Sequence, residues 1–572
     1  MVGRAPSHSC ILPAVWGVYE EYALVNGAGR DCGNLHGMKT TSLAAVAFCA
    51  VLVQGAVAAG PARRAGAVAA QPAPTANPYE VPLASGGEGM IDRIVFAQLE
   101  RLGIEPAGLC SDAVFVRRVY LDLIGTLPSG YEAREFLLNQ SPVKRKALIA
   151  KLLKDERFAS YWAMKWSDLL RVKAEFPINL WPNAVQAYHR WIRTSIREGM
   201  PYDQFARELL TSSGSNFRVP EANFYRAAQS RDPAGLAQSV ALTFMGVRAE
   251  KWPREKLDGM AAFFSQIQYK STGEWKEEIV LFNPELATNS LWKAAKFPDG
   301  TKAQLKPGED PRAVFADWLV NPKNPWFTRN IANRAWSWML GRGIIHEPDD
   351  IRLENPPSNA ELLAYLEREL VQSGYDIRRL LQVITESRVY QLSSIAKSTN
   401  RVAEANFASY PIRRIEAEVL IDALNQITGT SENYVSAIPE PATVIPASER
   451  AIDLADGSIT SSFLELFGRP SRDTGYESER NNRPTAAQRL HLLNSTHIQQ
   501  KIENSQMIRY QTGSGKGPKE IATGIYLGVL SRFPTARELE VVEAYWQGSN
   551  GRQAAVDLAW ALINSSEFLC RH

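Results

Sequence analysis

The sequence predicts a mainly α protein, with two helical domains and a small β-hairpin segment between them. Three observations carry this expectation. From residue 90 onward, apolar residues recur at spacings of three and four, the period of a helix with one buried face. The breaks fall at Gly and Pro, or open on Ser and Pro, where helices stop and start. The middle of the chain, about residues 271–310, changes character. There Glu278-Ile-Val-Leu-Phe282 reads as a strand, and Lys296-Phe-Pro-Asp-Gly-Thr301 as the turn of a small hairpin.

Taken in order, Ile91, Ile94, Val95, Leu99 and Leu102 share one helical face. Phe115 to Ile124 repeats the pattern and stops at Gly125, with Pro128 just beyond, a normal helix exit. Ser141-Pro142 opens the next helix, whose stripe is Leu148, Ile149, Leu152 and Leu153. Trp162, Trp166, Leu169 and Leu170 continue in the same style, and further helices are expected around 183–198, 202–211, 233–245 and 254–267. Past the boundary, helices resume at Pro311 with Phe315, Trp318 and Leu319 facing inward. Two more stripes follow, Leu362/Leu363/Leu366/Leu370 and Ile412/Ile415/Val419/Ala423/Leu424. Gly429 to Asp456 reads as a loop insertion, and the last helices fall near 517–531, 535–547 and 551–564. No repeat of fixed period is present.

Ahead of the helices, Met38-Lys-Thr-Thr41, the apolar run Leu43–Val53 and the small residues Ala56–Ala59 have the layout of a secretory signal peptide at 38–59. The run is too short and Ala-rich for a membrane span, so membrane attachment is expected only if the signal stays uncleaved. On this reading residues 1–37 are the product of an upstream start codon. Residues 60–89 are a disordered linker rich in Ala, Pro and Gly, and the protein is exported to the periplasm or cell surface. Of five Cys, only Cys110 and Cys570 follow the signal, which allows at most one disulfide; no zinc-type or haem-type Cys spacing exists. The 64 basic and 61 acidic residues, without a basic stripe, argue against nucleic acid as a partner. The 14 Trp suit deep cores or sugar-like contact surfaces.

Several constellations could carry chemistry. Asp349-Asp350, with Arg352 and Asn355, lies in a loop between helices. Paired carboxylates bind a hard cation or act as acid and base. The same residues would also serve as a capping and salt-bridge cluster holding the Asn-Pro-Pro turn. Asn330, Asn333 and Arg334 lie at helical spacing, and either line a polar cleft or form a buried structural network. His189, His346, His491, His497 and His572 include no i, i+4 pair, and no metal site is expected. Gly513-Ser-Gly-Lys-Gly517 lacks the first Gly of a phosphate loop, ends in Gly and follows no strand, so it reads as a flexible loop. Thr211–Ser215 offers hydroxyls without a nucleophile elbow.

The segments Phe115–Pro128 (FVRRVYLDLIGTLP), Arg157–Arg171 (RFASYWAMKWSDLLR) and Pro201–Phe205 (PYDQF) resemble domain of unknown function 1549. Asp310–Arg312, Asn324–Trp336, Gly341–Ile344, Pro348–Asp350, Asn355–Asn359, Tyr390–Ser394, Arg413-Arg414 and Trp560–Phe568 resemble its usual partner, domain of unknown function 1553. The resemblance covers roughly residues 90–572. It implies a first domain at 90–270, a linker with short strands at 271–310 and a second domain at 311–572. It also implies an exported protein of a family often linked to c-type cytochrome domains, whose biochemical function is not established. Relatives usually carry a Cys-x-x-Cys-His-type segment after a Phe-Leu-Gly-Val-like motif. Here Phe244-Met-Gly-Val-Arg248 is followed almost directly by Trp252-Pro253, so that segment is missing between Arg248 and Trp252. A second family Cys-x-Cys site is replaced by Tyr476 and Ser478. Covalent haem needs two thiols and an axial His, so no cofactor is expected. The function expected is an accessory or binding role outside the cytoplasm, toward an exported protein or a polysaccharide. The alternative is an enzyme acting on extracellular polysaccharide or its modifications. Asp349 and Asp350 would then be catalytic, with Asn330, Asn333, Arg334, Arg352 and Asn355 lining the cleft.

Overall fold

Helices occupy the segments where apolar spacing calls for them. In the first half they include Met90–Arg101, Asp112–Ile124, Gly130–Leu138, Lys144–Leu152, Glu156–Leu169, Pro182–Glu198 and Tyr202–Thr211. In the second they include Pro311–Leu319, Phe327–Leu340, Ala360–Gln372, Ile377–Glu386, Ala417–Thr428, Pro518–Leu530, Ala536–Gln547 and Gly551–Ile563. These come from a computed structural model that describes residues 77–83, 89–288, 290–398 and 400–572. The segments 1–37 and 38–59, and most of the linker expected at 60–89, lie outside the described residues. Local chemistry sets the helix ends. Ser111 Oγ accepts the Val114 N–H at the start of the Asp112–Ile124 helix, and Gly125 closes that helix at φ 61°. At Gly125 a side chain would run into the Tyr161 ring, so the glycine serves both conformation and packing.

The strands among the described residues are short and pair antiparallel. They are β1 (Glu80–Val81), β2 (Leu109–Cys110), β3 (Gly214–Ser215), β4 (Ile267–Ser271), β5 (Glu278–Phe282), β6 (Arg413–Arg414) and β7 (Cys570–Arg571). β1 pairs with β2, β6 with β7, and β5 lies between β3 and β4. The expected strand at 278–282 is thus the centre of a three-stranded sheet, in register from Ile267 opposite Phe282 to Ser271 opposite Glu278. The expected turn at 296–301 is closed by a bridge between Lys296 and Lys302. The helix expected at 254–267 is shorter: it is α-helical over Arg254–Ala261, tightens to a 3₁₀ turn at Ala262–Phe264, and gives way to β4. β1 also lies inside the expected linker, where the Tyr79 carbonyl accepts the Ser111 N–H at 2.9 Å. That linker is therefore ordered around Glu80. Cys110 and Cys570 are both free thiols.

The two helical segments on either side of 271–310 are present, and their packing is continuous: Pro78–His572 forms one compact unit. A single apolar core runs from Ile91 to Phe568. Buried charge explains the continuity, because each segment buries ions that the other neutralises. Asp122 receives Arg571 Nε at 2.8 Å, Arg413 Nη2 at 3.2 Å, and the hydroxyls of Tyr390 and Tyr410 at 2.8 and 3.0 Å. Glu416 pairs with Arg571 and with Lys165, the latter at 2.7 Å. Asp168 pairs with Arg472 at 2.9 Å and Arg480 at 2.7 Å, and Arg480 reaches Glu418 at 2.6 Å. Removing one member of such a pair leaves an uncompensated buried charge, so these links tie the segments together whatever their net contribution to stability.

Candidate functional site

The Phe327–Leu340 helix presents Asn330 and Arg334 one turn apart, toward the interior. Arg334 is fully buried, and every one of its nitrogens donates. Nε bonds Asn330 Oδ1 at 3.0 Å, and Nη1 bonds Glu477 Oε1 at 3.1 Å. Nη2 reaches the Leu242 carbonyl at 3.1 Å and Asp349 Oδ1 at 2.5 Å. The other Asp349 oxygen accepts the Glu477 N–H at 2.7 Å. Asn330 Nδ2 donates to the Thr243 carbonyl at 2.9 Å. Burial pulls the Arg334 pKa down, but Asp349 and Glu477 outweigh it and hold the group above its ordinary value. Asn333 sits on the same helix and braces a different segment, exchanging bonds with the Ile345 carbonyl and N–H at 2.9 and 2.8 Å.

The remaining candidates form a separate surface group. Asp350 Oδ2 meets Arg352 Nε at 3.1 Å, and the Arg352 side chain is 55% exposed. Asn355 Nδ2 donates to the His346 and Asp350 carbonyls at 2.7 and 3.0 Å and fastens the turn. The structure therefore gathers Asn330, Arg334 and Asp349 into one cluster, sets Asn333 beside it, and leaves Asp350, Arg352 and Asn355 at the rim. The adjacent carboxylates serve different partners. Both Asp349 oxygens are occupied inside a closed, paired network; Asp350 is half-buried in an exposed ion pair.

Glu477 and Tyr476 were not among the residues singled out as candidates. Glu477 Oε1 also accepts the Trp338 indole N–H at 2.8 Å. Next to it, the Tyr476 hydroxyl donates to Glu250 at 3.2 Å, and the Arg248 guanidinium lies over the Tyr476 ring at 5.1 Å. The stretch around Arg248 and the stretch around Tyr476, far apart in sequence, meet here. Between Ala241 and Pro253 the backbone is compact: a π turn at Ala241–Met245, Gly246 at φ 64°, and one 3₁₀ turn at Ala249–Lys251. A Cβ on Gly246 would stand 2.6 Å from Asn330 Oδ1 and 2.8 Å from the Pro348 carbonyl, so only glycine permits this approach. The resemblance had pointed to Tyr476 and Ser478, but a position in sequence carries no spatial information.

Elsewhere, His491 Nε2 and His497 Nδ1 lie 3.3 Å apart, and His497 Nε2 is 2.8 Å from Glu432 Oε2. Among the described residues, no three His, Cys, Asp or Glu side chains converge as a metal-ligand set, and no helix is long and apolar enough to cross a membrane. Gly513–Gly517 joins two helices, Gln506–Gly513 and Pro518–Leu530.

Comparison with known proteins places the chain by its sequence. Residues 90–268 match the family PSCyt2, a protein of unknown function (DUF1549), and residues 311–546 match PSD1, a protein of unknown function (DUF1553). No curated protein and no solved structure matches. The chain belongs to the family in which a DUF1549 segment is followed by a DUF1553 segment.

Proposed function

We propose that this protein acts outside the cytoplasm in an accessory or binding role, and that it works without the cysteine-held redox group its relatives are built to carry. The observation that carries the reading is the contact between Arg248, Glu250 and Tyr476, set against the closed Arg334–Asp349–Glu477 cluster. Covalent haem needs two thiols and an axial His, whereas the groups that meet here are a guanidinium, a carboxylate and a phenol. Asp349 is buried with both oxygens bonded to Arg334 and Glu477, away from any substrate in solvent, which supports binding over acid–base chemistry at this residue. Export is supported by the signal-like layout at residues 38–59.

The test is recovery of the full chain from the exported fraction, with identification of what co-purifies, alongside a glycan-turnover assay of the wild type and D349N. The reading predicts an exported chain, a co-purifying partner and no turnover. Turnover that D349N abolishes while keeping its fold would overturn it.

A further inference from the structure

A cavity of about 410 Å³ shares no residue with the Arg334–Asp349 cluster. Its walls come from three elements distant in sequence. Arg157 and Ser160 stand at the start of the Glu156–Leu169 helix, and His189 and Arg193 on the Pro182–Glu198 helix. Arg450 and Asp453 come from the end of the 429–456 loop. The volume lies within the roughly 300–1,000 Å³ of small-molecule sites.

The donors facing this cavity are not fully used. Arg157 is neutralised by a two-pronged bond to Asp155 at 2.9 and 2.7 Å. Arg193 is different: its Nε donates to Ser160 Oγ at 3.1 Å, and among the described residues no carboxylate pairs with it. Arg450 has carboxylates nearby, Asp422 and Asp453, but each stands at 3.7 Å, beyond hydrogen-bonding distance. Its Nη2 is buried without a partner, and so is Nε2 of His189, a residue only 8% exposed. Burial, with Arg472 and Arg193 adding to it, pushes the His189 pKa down to about 3, so the ring is neutral and offers one N–H. A buried donor left unpaired, as Arg450 Nη2 is, costs free energy, and the Arg193 guanidinium beside it has no carboxylate bonded to it among the described residues. An oxyanion accepts hydrogen bonds from both guanidinium groups at once.

We propose that this cavity binds an oxyanion, a phosphate or sulfate, through Arg193, Arg450 and His189. The space exceeds what a bare ion fills. The carboxylates of Asp453 and of Glu156, which also lines the cavity, are acceptors suited to hydroxyl groups. The favoured ligand is therefore a phosphate or sulfate ester of a small polyol.

Titration calorimetry of the full chain, at ionic strength matched with chloride, tests this with inorganic phosphate, inorganic sulfate, glucose 6-phosphate, glucose 6-sulfate and uncharged glucose. Saturable binding at one site is expected for the anions and none for glucose. R193Q and R450Q should each weaken it at least tenfold, while R509Q on another surface leaves it unchanged. Esters binding at least tenfold tighter than the inorganic ions support the polyol ester as ligand; equal affinities support the free oxyanion. Should R450Q fail to fold because of the neighbouring Asp422, R193Q carries the test, since among the described residues Arg193 bonds only Ser160. Absence of saturable anion binding, or binding indifferent to R193Q, overturns the proposal.

Discussion

Replacing Asp349 with Asn keeps the side chain's shape and removes one charge from beside a buried guanidinium. The Arg334 side chain is 0% exposed and that of Asp349 2%. Breaking such a pair from one side costs about 3–5 kcal/mol, because the surviving charge stays buried without its counterion. Arg334 keeps a second carboxylate, Glu477 at 3.1 Å, but that side chain is 26% exposed and compensates only in part. The lower end of the range, about 3 kcal/mol, is therefore expected for D349N. D350N is the internal control: its partner Arg352 is largely exposed, and pairs of this kind contribute about 0–1 kcal/mol. Urea unfolding of the full chain, followed by tryptophan fluorescence at pH 7, compares the two variants. A D349N protein as stable as the wild type, or a D350N protein less stable than D349N, would refute the reasoning that Asp349 is the structural partner of Arg334.

Other expectations follow from the same interior. Burial raises the pKa of Glu418, but Arg480 outweighs it and holds the carboxylate at about 2, below its ordinary 4.5. A depressed folded-state pKa gives stability that is present above about pH 4.5 and lost as pH falls toward 2; E418Q should flatten acid unfolding in that window. Asp422 behaves oppositely, because burial lifts it to about 7 despite Arg450. The folded state then holds a proton that the unfolded chain has released, so stability falls as pH rises from about 4 to 7, and D422N should remove that slope in thermal melts. G246A should destabilise by about 1–3 kcal/mol through its left-handed backbone, with the contacts to Asn330 and Pro348 adding to the loss; a melting temperature equal to wild type would contradict the packing described there.

Much of the fold was legible because helix patterning is local. The stripe Leu362, Leu363, Leu366 and Leu370 is buried throughout. The stripe from Ile412 to Leu424 holds except at its start, where Ile412 is 42% exposed because the helix begins only at Ala417. β4 was missed because its few residues continue directly from a helix, and only pairing with β5 reveals it. Within the site, the i, i+4 relation of Asn330 and Arg334 was readable, and so was the alternative of a buried network. Glu477 was not, lying 143 positions from Arg334 and brought there by packing alone. The same holds for the meeting of Arg248 with Tyr476, and of Arg193 with Arg450: neither pair shares a local pattern.

The role proposed for this protein includes the expectation that it carries no cysteine-held haem. The most direct measurement is the visible absorption spectrum, with iron analysis, of the full chain purified from the exported fraction. A spectrum without a Soret band and with iron far below stoichiometric is the predicted result; a Soret band with stoichiometric iron would contradict it.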